Sequence, residues 1–178
     1  GPVPMMIRRT LDYLRTNIIK ERITKPTDDE HSVKVFNYPF QALEEAVVNA
    51  LYHRDYKERE PVEITIEPNR ISILSYSGPD RSISMESLKE ANILRSRRYR
   101  NRRLGEFLKE LDLTEGRATG IPTIQKKLRE NGSPKATIET DESRSYFLID
   151  IPARIDFVQD ASSIRETDIE QIRINLSK

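Results

Sequence analysis

The sequence contains no cysteine and only two histidines among its 178 residues. Without cysteine the chain cannot form a disulfide, a zinc–thiolate site or a thiol nucleophile, and two histidines are too few for a histidine-rich metal site. No apolar run approaches the roughly 20 residues that a membrane-spanning helix needs, and no signal-peptide pattern opens the chain. We therefore expect a soluble, cytoplasmic protein, and the chemistry that remains open to it includes carboxylate base catalysis, phosphate binding and magnesium held by oxygen ligands.

The chain also lacks an excess of charge of one sign, because 30 Lys and Arg residues face 29 Asp and Glu residues and the formal net charge is +1. A surface that binds nucleic acid would therefore have to be a local basic patch. Neither a Gly-x-Gly-x-x-Gly fingerprint nor a Gly-Lys-Ser/Thr P-loop is present, which excludes the commonest nucleotide-binding signatures.

Hydrophobic periodicity predicts the secondary structure. Segments with helical spacing are predicted as helices: 5–20, 40–54, 85–92, about 104–115, 121–130 and, weakly, 166–176. Segments with alternating or extended character are predicted as strands: 32–36, a hairpin of 62–67 and 70–76, and a second hairpin of 136–140 and 145–151. This order predicts an α+β fold, a two-layer α/β sandwich with a mainly antiparallel sheet and helices on one face.

Composition divides the chain into three parts. Residues 1–4 (Gly-Pro-Val-Pro) are interpreted as an expression scar, and residues 5–153 are expected to form the sandwich. Residues 154–178 turn polar and are expected to be a linker or tail that leads to a further C-terminal module.

Helix 40–54 carries the first candidate site residues. On a helical wheel its apolar side chains fill one arc, and Glu45 and Asn49 lie one turn apart on the opposite side. Taken alone, such a pair is usually a solvated part of a polar face. The residues that follow directly, His-Arg-Asp-Tyr at 53–56, favour a functional site.

For two further segments, the residues allow more than one function. Residues 116–120 (Gly-Arg-Ala-Thr-Gly) precede helix 121–130 and suit either phosphate binding by backbone N–H groups or an ordinary helix cap and turn. Residues 95–103 contain six arginines in nine residues. They suit a nucleic-acid contact, a lid over nucleotide phosphates, or a solvated charge run.

Four segments in order resemble the ATP-dependent DNA-helicase-related transcriptional regulators of prokaryotes: 42–56, 73–79, 100–102 and 113–122. The resemblance covers most of the chain, from about residue 17 to residue 152. It implies the GHKL or Bergerat ATP-binding fold, with ATP and Mg²⁺ as cofactors and an adenine nucleotide as partner.

The resemblance also implies roles for individual residues. Glu45 would orient or deprotonate the attacking water, Asn49 would hold magnesium, and Asp55 would complete the metal shell. His53 would orient Asn49, although a structural role at the helix C-terminus is equally open. The implied nucleotide or phosphate contacts are Gly78, Asp80, Arg98, Arg102, Gly116, Arg117, Ala118, Thr119 and Gly120.

Two positions depart from the family pattern. Relatives usually have glycine where Ala118 stands, and the aspartate that reads the adenine amino group in the wider superfamily precedes its glycine, whereas Asp80 follows Gly78. These departures favour the alternative of a degenerate interaction or dimerisation module that binds no nucleotide. A nucleic-acid-binding domain that uses residues 95–103 is a third interpretation.

Relatives usually add a Schlafen AlbA-type domain and a winged helix, neither of which fits in this chain, so DNA contacts are expected through other modules. Hydrolysis by this chain alone is expected to be slow or absent. The sequence leaves open the regulated target, the nucleotide identity and the oligomeric state.

Overall fold

The computed structural model of the protein describes residues 3–28, 30–91, 106, 120–158 and 169–174. Within these ranges the extended helices are α1 (Val3–Tyr13), α2 (Phe40–His53), α3 (Met85–Glu90) and α4 (Gly120–Glu130). A π-helical turn at Leu14–Ile18 continues α1, and a 3-10 turn lies at Ile155–Phe157. The strands are β1 (Glu21–Thr24), β2 (Val33–Phe36), β3 (Val62–Glu67), β4 (Arg70–Ser75), β5 (Thr137–Glu139), β6 (Phe147–Pro152) and β7 (Glu170–Ile174).

Five strands form one antiparallel sheet in the order β5-β6-β4-β3-β7, and β1 pairs with β2 in a separate hairpin. Ile64 of β3 lies opposite Ile73 of β4, which in turn lies opposite Ile149 of β6. All three side chains are buried, and they share one face of the sheet because directly opposed residues of neighbouring strands point to the same side. Helix α2 packs on this face, and α4 packs along α2. The predicted α+β sandwich with helices on one face is confirmed.

Helix α2 matches its sequence pattern closely. Its apolar arc includes Leu43, Val47 and Leu51, all fully buried. Burying a side chain of this size contributes about 1.5–3 kcal/mol relative to leaving it in water, so the arc fixes which side of the helix faces the sheet. The polar side of α2, with Glu45 and Asn49, is thereby directed away from the sheet.

The predicted helix at 166–176 is wrong for its described part, because residues 170–174 form β7 and pair with β3. Ile172 and Ile174 lie opposite Ile64 and Val62, so a period of two matches the buried face of the sheet. The range 154–178, expected as a linker or tail, thus supplies the fifth strand of the sheet.

Smaller differences concern the N-terminal region. Helix α1 begins at Val3 rather than at residue 5, since a proline such as Pro4 is tolerated in the first turn of a helix. Strand β1, which was not predicted, has mostly exposed side chains and is set by its pairing with β2. The predicted helix at about 104–115 lies outside the described residues except for position 106.

None of the helices in the described ranges has the length and apolar character that crossing a bilayer requires.

Tyr38 carries a buried hydroxyl that has no hydrogen-bond partner within the described residues. Burial, assisted by the negative charge of Glu67, raises the pKa of this phenol. We expect Tyr38→Phe to leave stability unchanged or to raise it by up to about 1 kcal/mol, because the substitution removes a desolvation cost and no hydrogen bond. Thermal unfolding measures the change.

Tyr56 provides the matched control for Tyr38. Its hydroxyl donates to the Leu51 carbonyl at 2.9 Å. Burial raises the pKa of Tyr56 to about 12, against the opposing charge of Arg54. Tyr56→Phe should cost about 1 kcal/mol of stability, since a made hydrogen bond is lost. A loss of the same size in Tyr38→Phe would show that the Tyr38 hydroxyl is bonded after all.

Candidate functional site

Glu45 and Asn49 lie one turn apart on the polar side of α2, and both are half-buried. The helix starts after Pro39, whose extended backbone precedes the first helical turn. Because the apolar arc is fixed on the sheet, the carboxylate and the amide are held on the side of α2 that meets α4. The structure therefore brings these two predicted residues onto one surface.

Gly120, the first residue of α4, lies directly against Asn49 and Glu45. A Cβ at position 120 would be 2.8 Å from Asn49 Oδ1, 3.4 Å from Asn49 Cγ and 3.7 Å from Glu45 Oε1. Glycine is thus required there for the backbone to approach the amide. The first turn of a helix carries N–H groups without intrahelical partners, so the start of α4 places such donors beside a carboxylate and an amide.

Two buried amide side chains fix α4 in place. Gln125 donates to the Ala91 and Ala136 carbonyls and accepts from the Ala136 N–H, all at 2.9 Å. Asn131 accepts from the Phe36 N–H at 3.0 Å and donates to the Phe36 carbonyl at 2.7 Å. These bonds were not predicted from the sequence, and they tie the α4 segment to the end of β2, to the residue after α3 and to the residue before β5.

The C-terminal end of α2 carries the other two residues predicted on this segment. His53 lies in the last helical turn, with its ring edge-on to Tyr52 at a centroid distance of 5.1 Å. The Asp55 carboxylate accepts from the Lys57 N–H at 2.9 Å, and the Asp55 N–H donates to the Tyr76 carbonyl at 3.0 Å. Asp55 therefore closes a turn and ties the end of α2 to the end of β4.

Gly78 lies in a junction between the turn after β4 and the loop that precedes β6. Its N–H donates to the Arg144 carbonyl at 2.8 Å. A Cβ at position 78 would be 2.7 Å from each of three backbone atoms, the Arg144 carbon and oxygen and the Tyr146 oxygen. The glycine is required by the packing of two backbone segments, which is a role that the sequence did not predict.

Asp80 lies in the same turn, and its carboxylate accepts from the Ser82 N–H at 2.8 Å. The loop on the other side of the junction is held by Asp141, whose pKa is lowered to about 2 by hydrogen bonds from Ser145 and Ser143. Gly78 is therefore a neighbour of the β5–β6 loop, whereas Asn49 and Glu45 lie beside Gly120.

Six of the predicted contact residues lie outside the described residues: Arg98, Arg102, Gly116, Arg117, Ala118 and Thr119. Within the described ranges, no three His, Asp or Glu side chains come together in a way that could hold a metal ion.

Comparison with known proteins gives a family match and a fold match. A family model described as "Putative ATP-dependent DNA helicase recG C-terminal" matches residues 60–149, which is half of the chain. The matched range includes Gly78, Asp80 and residues 95–103 and 116–120, and it begins after α2. No curated protein matches the sequence.

A similar solved structure is that of the DIP2311 protein from Corynebacterium diphtheriae, with a TM-score of 0.64 and 23% sequence identity. The alignment covers 82% of this chain and 29% of the other, so this chain spans less than a third of that protein. At this identity the similarity shows the fold, in agreement with the sandwich described above.

Proposed function

Because the chain belongs to the recG C-terminal family, whose model matches residues 60–149, we propose that it is an ATP- and Mg²⁺-binding module of a prokaryotic transcriptional regulator. The family supports an ATPase-like domain, and the regulator role is part of the proposal. The observation that carries the proposal is that α4 brings Gly120 beside two side chains of α2: a Cβ at position 120 would lie 2.8 Å from Asn49 Oδ1 and 3.7 Å from Glu45 Oε1.

The three groups suit the chemistry of a nucleoside triphosphate. Mg²⁺ prefers hard oxygen ligands and usually shares its coordination between protein and substrate phosphates, so the Asn49 amide oxygen is a fitting protein ligand. The backbone N–H groups in the first turn of α4, where Pro122 has none, would favour an anion beside Gly120. Glu45 would then orient the water that attacks the terminal phosphate.

Bound Mg²⁺ would neutralise the phosphate charge, and the protein would supply positioning. We expect hydrolysis by this chain alone to be slow or absent, because fast phosphoryl transfer commonly needs a further cation, such as an arginine finger, aimed at the terminal phosphate. A cation of this kind would come from another module of a longer protein or from a partner. DNA contacts are likewise proposed to come from other modules.

Calorimetric titration with ATP and with a non-hydrolysable analogue, each with and without Mg²⁺, tests the proposal. We expect magnesium-dependent binding that Asn49→Ala weakens by about 10-fold, which corresponds to about 1.4 kcal/mol and to one ligand lost from the metal. Glu45→Ala should abolish the remaining turnover and leave the binding affinity largely intact. The matched control is Asn17→Ala, which changes an exposed asparagine in the π-helical turn that continues α1.

Two results would favour the alternative functions. If millimolar nucleotide gives neither heat nor a thermal shift, a degenerate interaction or dimerisation module becomes the better description. If the protein instead binds DNA with a steep salt dependence, and replacing Arg97, Arg98 and Arg100 removes that binding, nucleic-acid binding by residues 95–103 is favoured.

A further inference from the structure

We propose that a second copy of this chain pairs with the outer edge of β1, so that two β1–β2 hairpins form one continuous antiparallel sheet. Among the described residues, β1 has a neighbouring strand on one side only, because it forms a two-stranded sheet with β2. An isolated hairpin of two strands is marginally stable in water, and a free strand edge is a template for another strand. The proposal does not depend on nucleotide binding, since β1 contributes no residue to the proposed site.

The hydrogen bonds of the hairpin show which backbone groups of β1 point outward. The Asn37 N–H donates to the Lys20 carbonyl at 3.1 Å, so Lys20 and every second residue after it face β2. The residues between them direct their N–H and C=O groups to the opposite side. Glu21 and Ile23 therefore present their backbone groups at the outer edge of β1.

The hairpin is held on the fold by contacts that leave this edge open within the described residues. On the β2 side, Asn131 accepts from the Phe36 N–H at 3.0 Å and donates to the Phe36 carbonyl at 2.7 Å, as a neighbouring strand would. Arg22 Nη1 donates to the Asp156 carbonyl at 3.1 Å, and its guanidinium carbon lies 4.6 Å from the centroid of the Phe157 ring. These contacts fix the position of β1, so its edge is a preformed strand.

The sequence of β1 complements itself when two copies run antiparallel. With Ile23 placed opposite the partner's Ile23, Glu21 lies opposite the partner's Lys25. Arg22 then lies opposite the partner's Thr24, which carries no charge. Opposite charges directly across an antiparallel pair stabilise it, and like charges destabilise it. The two-fold symmetry of the dimer forms the glutamate–lysine pair twice, which favours a second copy over an unrelated strand.

The exposure of the side chains fits the same pairing. Ile23 is 67% exposed although it lies within a strand. Lys34, directly across the hairpin from Ile23, has its Nζ 3.4 Å from Glu21 Oε2. Lysine at a strand edge often prevents pairing, but here each Glu21 would lie between Lys34 of its own chain and the partner's Lys25. The two Ile23 side chains would cover each other at the two-fold axis.

Sedimentation equilibrium of the full chain over a series of concentrations tests the proposal. We expect the mass of the wild-type protein to approach twice that of one chain at the highest concentrations. Ile23→Lys should raise the dimer dissociation constant by about 10-fold or more, because it places two ammonium groups opposite each other. The matched control is Ile169→Lys, which changes another exposed isoleucine, next to the edge strand β7. This control should dimerise like the wild type.

Reversing the charges tests the antiparallel register. Glu21→Lys should raise the dissociation constant by about 10-fold, because two opposite-charge pairs become two like-charge pairs. Lys25→Glu should do the same. The double variant, Glu21→Lys with Lys25→Glu, should restore a dissociation constant close to that of the wild type, since both pairs form again with their signs exchanged. A loss of hairpin stability would not be recovered in this way, and circular dichroism checks that each variant is folded.

Amide hydrogen exchange reports on the edge itself. The Ile23 N–H should exchange more slowly as the protein concentration rises, whereas the Thr24 N–H, which faces β2, should change less. A monomer at every concentration would overturn the proposal and leave the edge to a strand of a different protein. A dimer that survives Ile23→Lys, or one that Ile169→Lys disrupts, would also overturn it, the latter by indicating the β7 edge. Failure of the double variant to dimerise would overturn the antiparallel register.

Discussion

Replacing Gly120 by alanine is expected to lower magnesium-dependent ATP affinity by about 10-fold or more while the protein stays folded. The added Cβ would lie 2.8 Å from Asn49 Oδ1, a distance that real Cβ atoms do not show, so the amide must move. Moving the proposed metal ligand should cost as much as losing a charge-assisted hydrogen bond, about 1.5–3 kcal/mol.

Stability should not fall in the same variant. The atom in the way is the end of a flexible side chain, and alanine has a higher helix propensity than glycine by up to about 1 kcal/mol in a helix interior. We therefore expect an unchanged or slightly higher melting temperature. Calorimetry with and without Mg²⁺, together with thermal unfolding, measures both quantities.

Gly132→Ala is the reciprocal control for Gly120→Ala. Gly132 has a φ of +72°, and a Cβ there would be 3.2 Å from Arg154 Nη1. This substitution should lower the melting temperature and leave ATP affinity unchanged at temperatures where the variant is folded. Wild-type affinity in Gly120→Ala would show that the Asn49 amide does not bind the metal in its present position.

The sequence predicted α2 and its polar pair because helix periodicity is a local property. The apolar arc of α2 alone determines that Glu45 and Asn49 share the opposite side. That Gly120 lies beside Asn49 could not be predicted, since the contact depends on where α4 lies. The bonds of Gln125 to Ala91 and of Asn131 to Phe36 tie this segment to residues 34 and 95 positions away in the sequence.

The predicted helix at 166–176 failed for a related reason. In the wider segment Ile169, Ile172 and Leu176 follow helical spacing, whereas Ile172 and Ile174 alternate as in a strand, so the pattern is ambiguous. Pairing with β3 decides in favour of a strand, because Ile172 and Ile174 then extend the buried face of the sheet. Pairing partners far apart in sequence are not visible in a single chain without a structure.

The sequence predicted a nucleotide contact at Gly78, and the structure shows a packing role for the same glycine. The glycine-containing turn after β4 was predicted as a nucleotide contact by resemblance. In the structure the space beside Gly78 is filled by the backbone of Arg144 and Tyr146. Close approach of a backbone requires glycine in both cases, so the sequence alone could not separate a ligand from a neighbouring loop.

Gly78→Ala is therefore expected to destabilise the protein by about 3 kcal/mol, the upper part of the range for overpacking a well-packed site. Three backbone atoms at 2.7 Å would have to move, and the bond from the Gly78 N–H to the Arg144 carbonyl would be strained. For a chain of this size the melting temperature should fall by about 6–12 °C. Thermal and urea unfolding measure the loss.

The size of this effect separates the two roles of Gly78. A structural role predicts a lower melting temperature and, well below that temperature, an affinity for inorganic tripolyphosphate equal to that of the wild type, because the atoms that an added Cβ would meet belong to Arg144 and Tyr146 and not to Asn49 or Gly120. A ligand-contact role predicts a normal melting temperature with weakened ATP binding. The second result would contradict the packing explanation and support the nucleotide contact that the resemblance predicted for Gly78. The first would show that the junction holds the β5–β6 loop, and with it Arg144, in place.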